Sequence, residues 1–160
     1  MAATETKRPV RRPAKKAPKA AIRKHAEREE PEALRVRVLT TAFTVNDVEA
    51  SLKWYRDVVG FTHEGDIMRN GVRTGVRLKA GTMVLRLGQD DWAKGRDRAK
   101  GVGSRCYLST DQDVDKLAGR IKANGGTLDS EPEDFPAYAV RAFSITDPDG
   151  FKFTISRPLS

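Results

Sequence analysis

Residues 43–61 read FTVNDVEASLKWYRDVVGF, and this stretch decides the fold of the chain. Phe43 and Val45 alternate with a polar residue, which is the spacing of a strand with one buried face. Four apolar residues then recur at helical spacing and form one stripe, namely Val48, Leu52, Tyr55 and Val59. The stretch therefore predicts a strand followed directly by an amphipathic helix.

Signals for both ends of the helix flank this stripe. Asn46 is predicted to cap the N-terminus, because Glu49 stands three residues later, where the acid of a capping box belongs. Gly60 follows the last apolar position and suits a left-handed C-terminal cap. Phe61 then opens a second strand.

The same order of elements occurs twice along the chain. Spacing predicts a second helix over residues 113–124 and strands over residues 34–45, 61–68, 72–78, 82–87, 104–110, 127–130, 138–146 and 151–157. Asp47 and Gly60 have counterparts in Asp113 and Gly125, about 65 residues later, as expected of an internal repeat. The sequence therefore predicts two βαβββ modules, joined by a charged surface loop over residues 89–103.

The pattern V-x-D-x-x-x-S-x-x-[FWY]-Y-x-x-x-x-G-F resembles the opening module of the vicinal oxygen chelate superfamily, which includes glyoxalase I, extradiol dioxygenases, fosfomycin-resistance enzymes and bleomycin-resistance proteins. It is carried by Val45, Asp47, Ser51, Trp54, Tyr55, Gly60 and Phe61. The run DPDG at residues 147–150 resembles the closing hairpin of the same superfamily. This resemblance implies an α+β fold in which both modules form one curved mixed sheet, with a concave cavity and helices on the convex side.

Positive charge is concentrated before the repeat. The chain carries a formal charge of +8, and residues 1–33 hold ten Lys and Arg against five Asp and Glu. This Ala-, Lys-, Arg- and Pro-rich stretch has no aromatic residue, so we expect a disordered tail before a domain over residues 34–160. Its basic block predicts weak, non-specific contact with nucleic acid, and a solubilising extension is the alternative.

Cysteine content and hydropathy bear on the compartment. Cys106 is the only cysteine, so no internal disulfide can form, and a reducing, cytoplasmic location is expected. No run approaches the roughly 18 apolar residues of a membrane helix, so no membrane partner is expected.

The resemblance also implies where a metal would bind, because metal-dependent members hold a divalent ion with His, Glu or Gln side chains on the strands that line the cavity. The corresponding positions hold Thr40, Arg86, Cys106 and Thr154. These residues do not make an ordinary site for a divalent metal. We therefore expect no metal and no cofactor.

Eight residues are predicted to line the ligand site: Thr40, Ala42, Arg77, Arg86, Trp92, Cys106, Tyr138 and Thr154. Alternation along the strands places Arg77 and Arg86 on the cavity side, where guanidinium groups bind carboxylate or carbonyl oxygens. Trp92 and Tyr138 are expected to close over an apolar or aromatic group. The predicted ligand is a small molecule that is anionic or aromatic.

Three functions remain open from the sequence. The favoured one is a metal-independent protein that binds or sequesters a small molecule, of the glyoxalase/bleomycin-resistance type. The second is a metal-dependent glyoxalase- or dioxygenase-like enzyme, with His63, Glu64 and Asp66 as the metal-capable cluster. The third is a nucleic-acid-associated module that acts through the basic tail. The resemblance further implies a homodimer in which paired modules complete the cavities.

Overall fold

A computed structural model describes residues 36–159, so the predicted tail over residues 1–33 lies outside the described part of the chain. The strands are β1 (Thr41–Val45), β2 (Thr62–Arg69), β3 (Val72–Ala80), β4 (Met83–Gln89), β5 (Arg105–Ser109), β6 (Leu128–Phe135), β7 (Val140–Thr146) and β8 (Lys152–Pro158). The helices are α1 (Val48–Lys53), continued by a π-helical segment (Trp54–Val59), and α2 (Val114–Ala123), with a 3-10 turn at Pro136–Tyr138.

The strands form two four-stranded mixed sheets, one in each module. Sheet A has the order β1-β4-β3-β2 and sheet B has the order β5-β8-β7-β6. In each, the first strand pairs in parallel with the last strand of its module and the other pairs are antiparallel. The predicted α+β fold of two βαβββ modules is confirmed. The difference is that β1 and β5 are sheet edges, so the described residues form two sheets and not one hydrogen-bonded sheet.

Alternation along the strands separates a core face from an uncovered face, as predicted. Phe43 and Val45 are buried under the helices. Ala42 and Thr44, which precede them in alternation along β1, are exposed. The ring of Phe43 stacks on Phe151 from the second module, with 3.9 Å between the centroids. Residues of both modules therefore share one hydrophobic core.

The helix α1 begins one residue later than the sequence predicted. Asp47, and not Asn46, is the N-cap, and its carboxylate accepts the backbone N–H groups of Glu49 and Ala50 at 2.9 and 3.0 Å. Asn46 is used elsewhere, since its backbone N–H donates to Asp149 in the second module. The predicted stop is confirmed, because Gly60 has the left-handed φ of 99°.

The π-helical segment distinguishes the first helical region from the second. The interval from Asp47 to Gly60 is one residue longer than the interval from Asp113 to Gly125. The backbone N–H of Gly60 donates to the carbonyl of Tyr55, five residues back, at 3.0 Å. The extra residue is thus accommodated in a wide turn.

Two strands differ in length from their predictions. The predicted first strand covered residues 34–45, of which residues 34–35 lie outside the described part of the chain, and the described strand is the shorter Thr41–Val45. The predicted strand over residues 127–130 is the longer β6, Leu128–Phe135, which contains Pro132. Since β6 is the outer strand of sheet B, it tolerates a residue that cannot donate a ladder hydrogen bond. No helix within residues 36–159 is long and apolar enough to cross a membrane.

Candidate functional site

Each sheet leaves the face opposite its helix uncovered, and three predicted ligand residues meet on the uncovered face of sheet A. Ala42, Arg86, Arg77 and Gly65 stand opposite one another in register across β1, β4, β3 and β2. Arg77 donates to Glu64 at 2.6 Å. Within residues 36–159, no carboxylate lies within 4.0 Å of the Arg86 guanidinium. This row therefore presents Arg77, which is paired with a carboxylate, and Arg86, which has no carboxylate partner among the described residues.

On the uncovered face of sheet B, the predicted residue Thr154 is joined to Arg105. The Arg105 guanidinium donates to the Thr154 hydroxyl at 2.9 Å and approaches the Ser144 hydroxyl at 3.4 Å. Tyr107 lies opposite Thr154 in register and is 76% exposed. This face is therefore cationic and rich in hydroxyl groups.

A groove lies beside the edge strand β5, which we call the inter-module groove. It has a volume of about 1130 Å³ and runs between β5, α2, the β3–β4 turn and the start of β1. Its apolar lining includes Val59, Phe61, Leu108, Leu117, Ile121 and Ile155. Cys106 also lines it, from the core side of β5, and burial raises the pKa of its thiol. Cys106 is thus separated from Thr154, which lies on the uncovered face.

The other predicted ligand residues lie apart from these groups. Thr40 is exposed and precedes β1. Tyr138 is in the 3-10 turn before β7 and is largely exposed. Trp92 follows β4 in the loop between the modules, where Arg96 and Lys100 approach its ring at 4.8 and 5.0 Å. The structure therefore brings together Ala42, Arg77 and Arg86, and leaves the remainder in separate surroundings.

The loop that carries Trp92 is fixed by a buried carboxylate. Asp90 accepts from Lys100 at 2.8 Å and from Arg98 at 2.9 Å, and the Lys100 side chain is only 3% exposed. These cations, Lys100 foremost, hold the pKa of Asp90 well below its usual range. Lys100 also contacts the side chain of Asn46. The loop between the modules, which was predicted to be a surface loop, is therefore held at its start by Asp90. Lys100 also holds it against Asn46, just after the end of β1.

A second buried polar pair joins the two modules. The Tyr55 hydroxyl donates to the Asp147 carboxylate at 2.7 Å, and both side chains are almost fully buried. Burial raises the pKa of Asp147, while the bond from Tyr55 lowers it in part. Burial also raises the pKa of Tyr55. This contact holds the β7–β8 turn against the first helix.

A comparison with models of known protein families identifies the family of the chain. A family model described as the Glyoxalase/Bleomycin resistance protein/Dioxygenase superfamily matches residues 37–155. The chain belongs to this superfamily. The superfamily assignment confirms the resemblance seen in the sequence. No curated protein matches the chain.

Several solved structures of the superfamily type are similar in fold. TioX from Micromonospora sp. ML1 is 18% identical, with a TM-score of 0.63, over 78% of this chain and 100% of TioX. UcmS2 is 20% identical, with a TM-score of 0.64, over 77% and 98% of the two chains. A superfamily member from Sphaerobacter thermophilus DSM 20745 is 25% identical, with a TM-score of 0.59, over 76% and 98%.

Some members of the superfamily use a divalent metal, and the residues of this chain do not fit one. The positions that the resemblance implies for metal ligands hold Thr40, which precedes β1, Cys106 on the core side of β5, and Arg86 and Thr154 on the uncovered faces of the two sheets. Within residues 36–159, no group of three His, Cys, Asp or Glu side chains is close enough to hold a metal ion.

The alternative cluster on β2 is divided between separate ion pairs. His63 lies 2.9 Å from Asp66, whose other oxygen accepts from Arg73 at 2.9 Å. The hydrogen bond from Arg73 lowers the pKa of Asp66. Glu64 pairs instead with Arg77. These three side chains are each engaged, and they do not converge on one point.

Sequence reasoning did not identify Tyr107 as part of the uncovered face. The available signal was the alternation of Arg105, Tyr107 and Ser109 with the core residues Cys106 and Leu108. Cys106 was instead predicted to face the ligand site, from its spacing to the capping residue Asp113 and that of Thr40 to Asp47. That spacing misleads because the connection from β5 to α2 is longer than the connection from β1 to α1.

Proposed function

We propose that this protein binds or sequesters a small anionic or aromatic molecule and does so without a metal. The observation that carries the proposal is the chemistry of the uncovered faces, where Arg86, Arg105 and Thr154 are presented on strands of a superfamily fold. Guanidinium and hydroxyl groups recognise oxygen-rich ligands directly. We place this activity in the cytoplasm.

A second copy of the chain is the proposed protein partner. The edges of β1 and β5 have no strand partner within residues 36–159, and open strand edges favour pairing with another chain. Leu39 and Tyr107, next to these edges, are large, exposed and apolar. A homodimer that covers the inter-module groove would remove Leu39 and Tyr107 from water.

Thermal melts of the full chain test the metal-independent part of the proposal. A ligand that binds only the native state raises the melting midpoint according to its affinity and concentration. We expect no change with EDTA or with Mn²⁺, Fe²⁺, Ni²⁺ or Zn²⁺, and an increase with members of a panel of small organic acids and aromatic compounds. A stoichiometric metal that raises the midpoint by several degrees would overturn the metal-independent reading.

Matched substitutions locate ligand binding and dimer formation. Arg86→Gln should weaken the binding of a panel compound, whereas Arg69→Gln, at the exposed β2–β3 turn, should not. Leu39→Lys should convert a dimer to a monomer in sedimentation equilibrium, whereas Val72→Lys, also exposed but on β3 in another part of the surface, should leave the mass unchanged. A monomeric mass for the unsubstituted chain would refute the dimer.

A further inference from the structure

Four hydroxyl groups form one row across sheet B. Tyr107 on β5 stands opposite Thr154 on β8, Thr154 opposite Ser144 on β7, and Ser144 opposite Ser130 on β6. The Thr154 and Ser144 hydroxyl oxygens are 3.4 Å apart. Cross-strand neighbours on one face lie close enough to act together, so the row is a continuous polar strip.

Arg105 stands opposite Lys152 in the adjacent row, and its guanidinium reaches this row, where its hydrogen-bond partners within residues 36–159 are neutral. Its guanidinium reaches Thr154 and Ser144, and within residues 36–159 no carboxylate lies within 4.0 Å of it. By contrast, Arg77 pairs with Glu64 on sheet A, and so its charge is compensated. A guanidinium has five N–H donors, and the two hydroxyls engage a single nitrogen of Arg105. Most of its donor capacity remains for a ligand.

A second cation stands next to Arg105. Lys152 is its direct partner in register on β8, and the residue is exposed. Like charges directly opposite each other on neighbouring strands are destabilising. Asp129 on β6 is engaged by the hydroxyl of Thr146, which lies on the other side of Lys152 from Arg105. Within residues 36–159, neither Arg105 nor Lys152 is paired with a carboxylate.

We infer that Arg105, Thr154 and Ser144 form a subsite for an oxyanion, which is the carboxylate or phosphate group of the bound small molecule. The inference rests on the proposed small-molecule function, and it identifies the chemical group that the ligand presents to sheet B. Arg105 provides a planar pair of donors, and Lys152 adds a point charge. The hydroxyls of Thr154 and Ser144 accept from Arg105, and the hydroxyl hydrogen that is not used between the two remains to be donated to the ligand.

The test uses site-resolved NMR titrations of the full chain with benzoate, its neutral analogue benzamide and inorganic phosphate, at fixed ionic strength. We expect saturable shifts of the backbone amides of Arg105, Ser144 and Thr154 with benzoate or phosphate. Loss of a charge-assisted hydrogen bond should weaken this binding by about tenfold to hundredfold in Arg105→Gln. Arg105→Lys should recover part of the affinity, and the control Arg69→Gln should bind as the unsubstituted chain does.

The outcomes separate this inference from the proposed function. Unchanged anion affinity in both Arg105→Gln and Thr154→Val, with folding checked by circular dichroism, would overturn the subsite. Equal binding of benzamide and benzoate would also overturn it, while the small-molecule function would stand. Phosphate binding at Arg105 without binding of any organic compound would support the subsite and refute the proposed function. Whichever of benzoate and phosphate binds at least tenfold more tightly identifies the class of anion.

Discussion

The contact between Tyr55 and Asp147 offers a sharp test of how the two modules are held together. Replacement Tyr55→Phe removes one hydroxyl and keeps the ring that packs against Phe61 and Phe153. Asp147 keeps the backbone N–H groups of Asp149 and Phe151 on its other oxygen, at 3.0 and 2.8 Å. The variant therefore isolates the loss of a single buried hydrogen bond to a carboxylate.

The magnitude follows from the burial of both partners. Tyr55 is 0% exposed and Asp147 is 4% exposed, so water cannot replace the lost donor. A hydrogen bond to a charged group contributes about 1.5–3 kcal/mol, and we expect a loss of about 2 kcal/mol in the free energy of unfolding at neutral pH. With a urea dependence of about 1.5 kcal/mol per molar, the unfolding midpoint should fall by about 1.3 M. Tryptophan fluorescence of the full chain measures this midpoint.

The pKa of Asp147 also predicts how the loss of stability in Tyr55→Phe depends on pH. Burial raises the pKa of Asp147, and the bond from Tyr55 opposes that rise. Tyr55→Phe should therefore raise the pKa of Asp147 further. A raised folded-state pKa lowers stability as the pH rises through the unfolded value of about 4 toward the folded value. The difference between variant and unsubstituted chain should thus be small at pH 3.5 and largest at neutral pH.

Two results would refute this reasoning. One is an unfolding midpoint for Tyr55→Phe equal to that of the unsubstituted chain at neutral pH. The other is a destabilisation that is greatest in acid. Tyr138→Phe is the matched control, because this tyrosine is 78% exposed and its hydroxyl has no partner within the described residues. We expect the control to change the midpoint by less than about 0.3 M.

Three further predictions concern the loop, the helix stop and the tail. Lys100→Met should lower the urea midpoint by about 1 M, because it leaves a buried carboxylate without its closest cation, whereas Lys116→Met, on an exposed side chain, should have almost no effect. Gly60→Ala should lower the free energy of unfolding by about 1–2 kcal/mol, because Gly60 has a left-handed φ. Gly119→Ala, in the interior of α2 with open space around it, should raise the free energy of unfolding by about 0.5–1 kcal/mol. A melting midpoint that is higher for Gly60→Ala than for Gly119→Ala would contradict the conformational argument. Neutralising the seven basic residues in residues 7–19 should abolish duplex DNA binding and its salt dependence in fluorescence anisotropy, and unchanged binding would exclude a nucleic-acid role for the tail.

Local signals in the sequence were sufficient for the modules and for most turns. Alternation at Phe43 and Val45 identified the buried face, and the Asn70-Gly71 pair between β2 and β3 has positive φ at both residues, as this dipeptide favours in a tight turn. The length of β6 could not be predicted in this way. Pro132 and its acidic neighbours are typical of a loop, and only the position of β6 at the edge of sheet B makes a strand acceptable.

Tertiary contacts explain what the sequence could not show about the site. Asn46 was predicted as a cap but contacts Asp149 and Lys100, which are distant in sequence. Alternation correctly placed Arg77 and Arg86 on one face, but it carries no information on which arginine has a carboxylate partner. The structure shows which arginine has such a partner. Arg77 donates to the carboxylate of Glu64, whereas Arg105 donates to two hydroxyl groups.

The wide turn after α1 bears on how the two modules came to differ in length. If one ancestral module was duplicated, its cap and its glycine stop were inherited in both copies, and a single-residue insertion afterwards lengthened only the first. A helix whose two ends are fixed cannot extend, so the inserted residue was retained as a local unwinding near Tyr55. Relatives that diverged before this insertion should have an ordinary α-helix here, equal in length to α2.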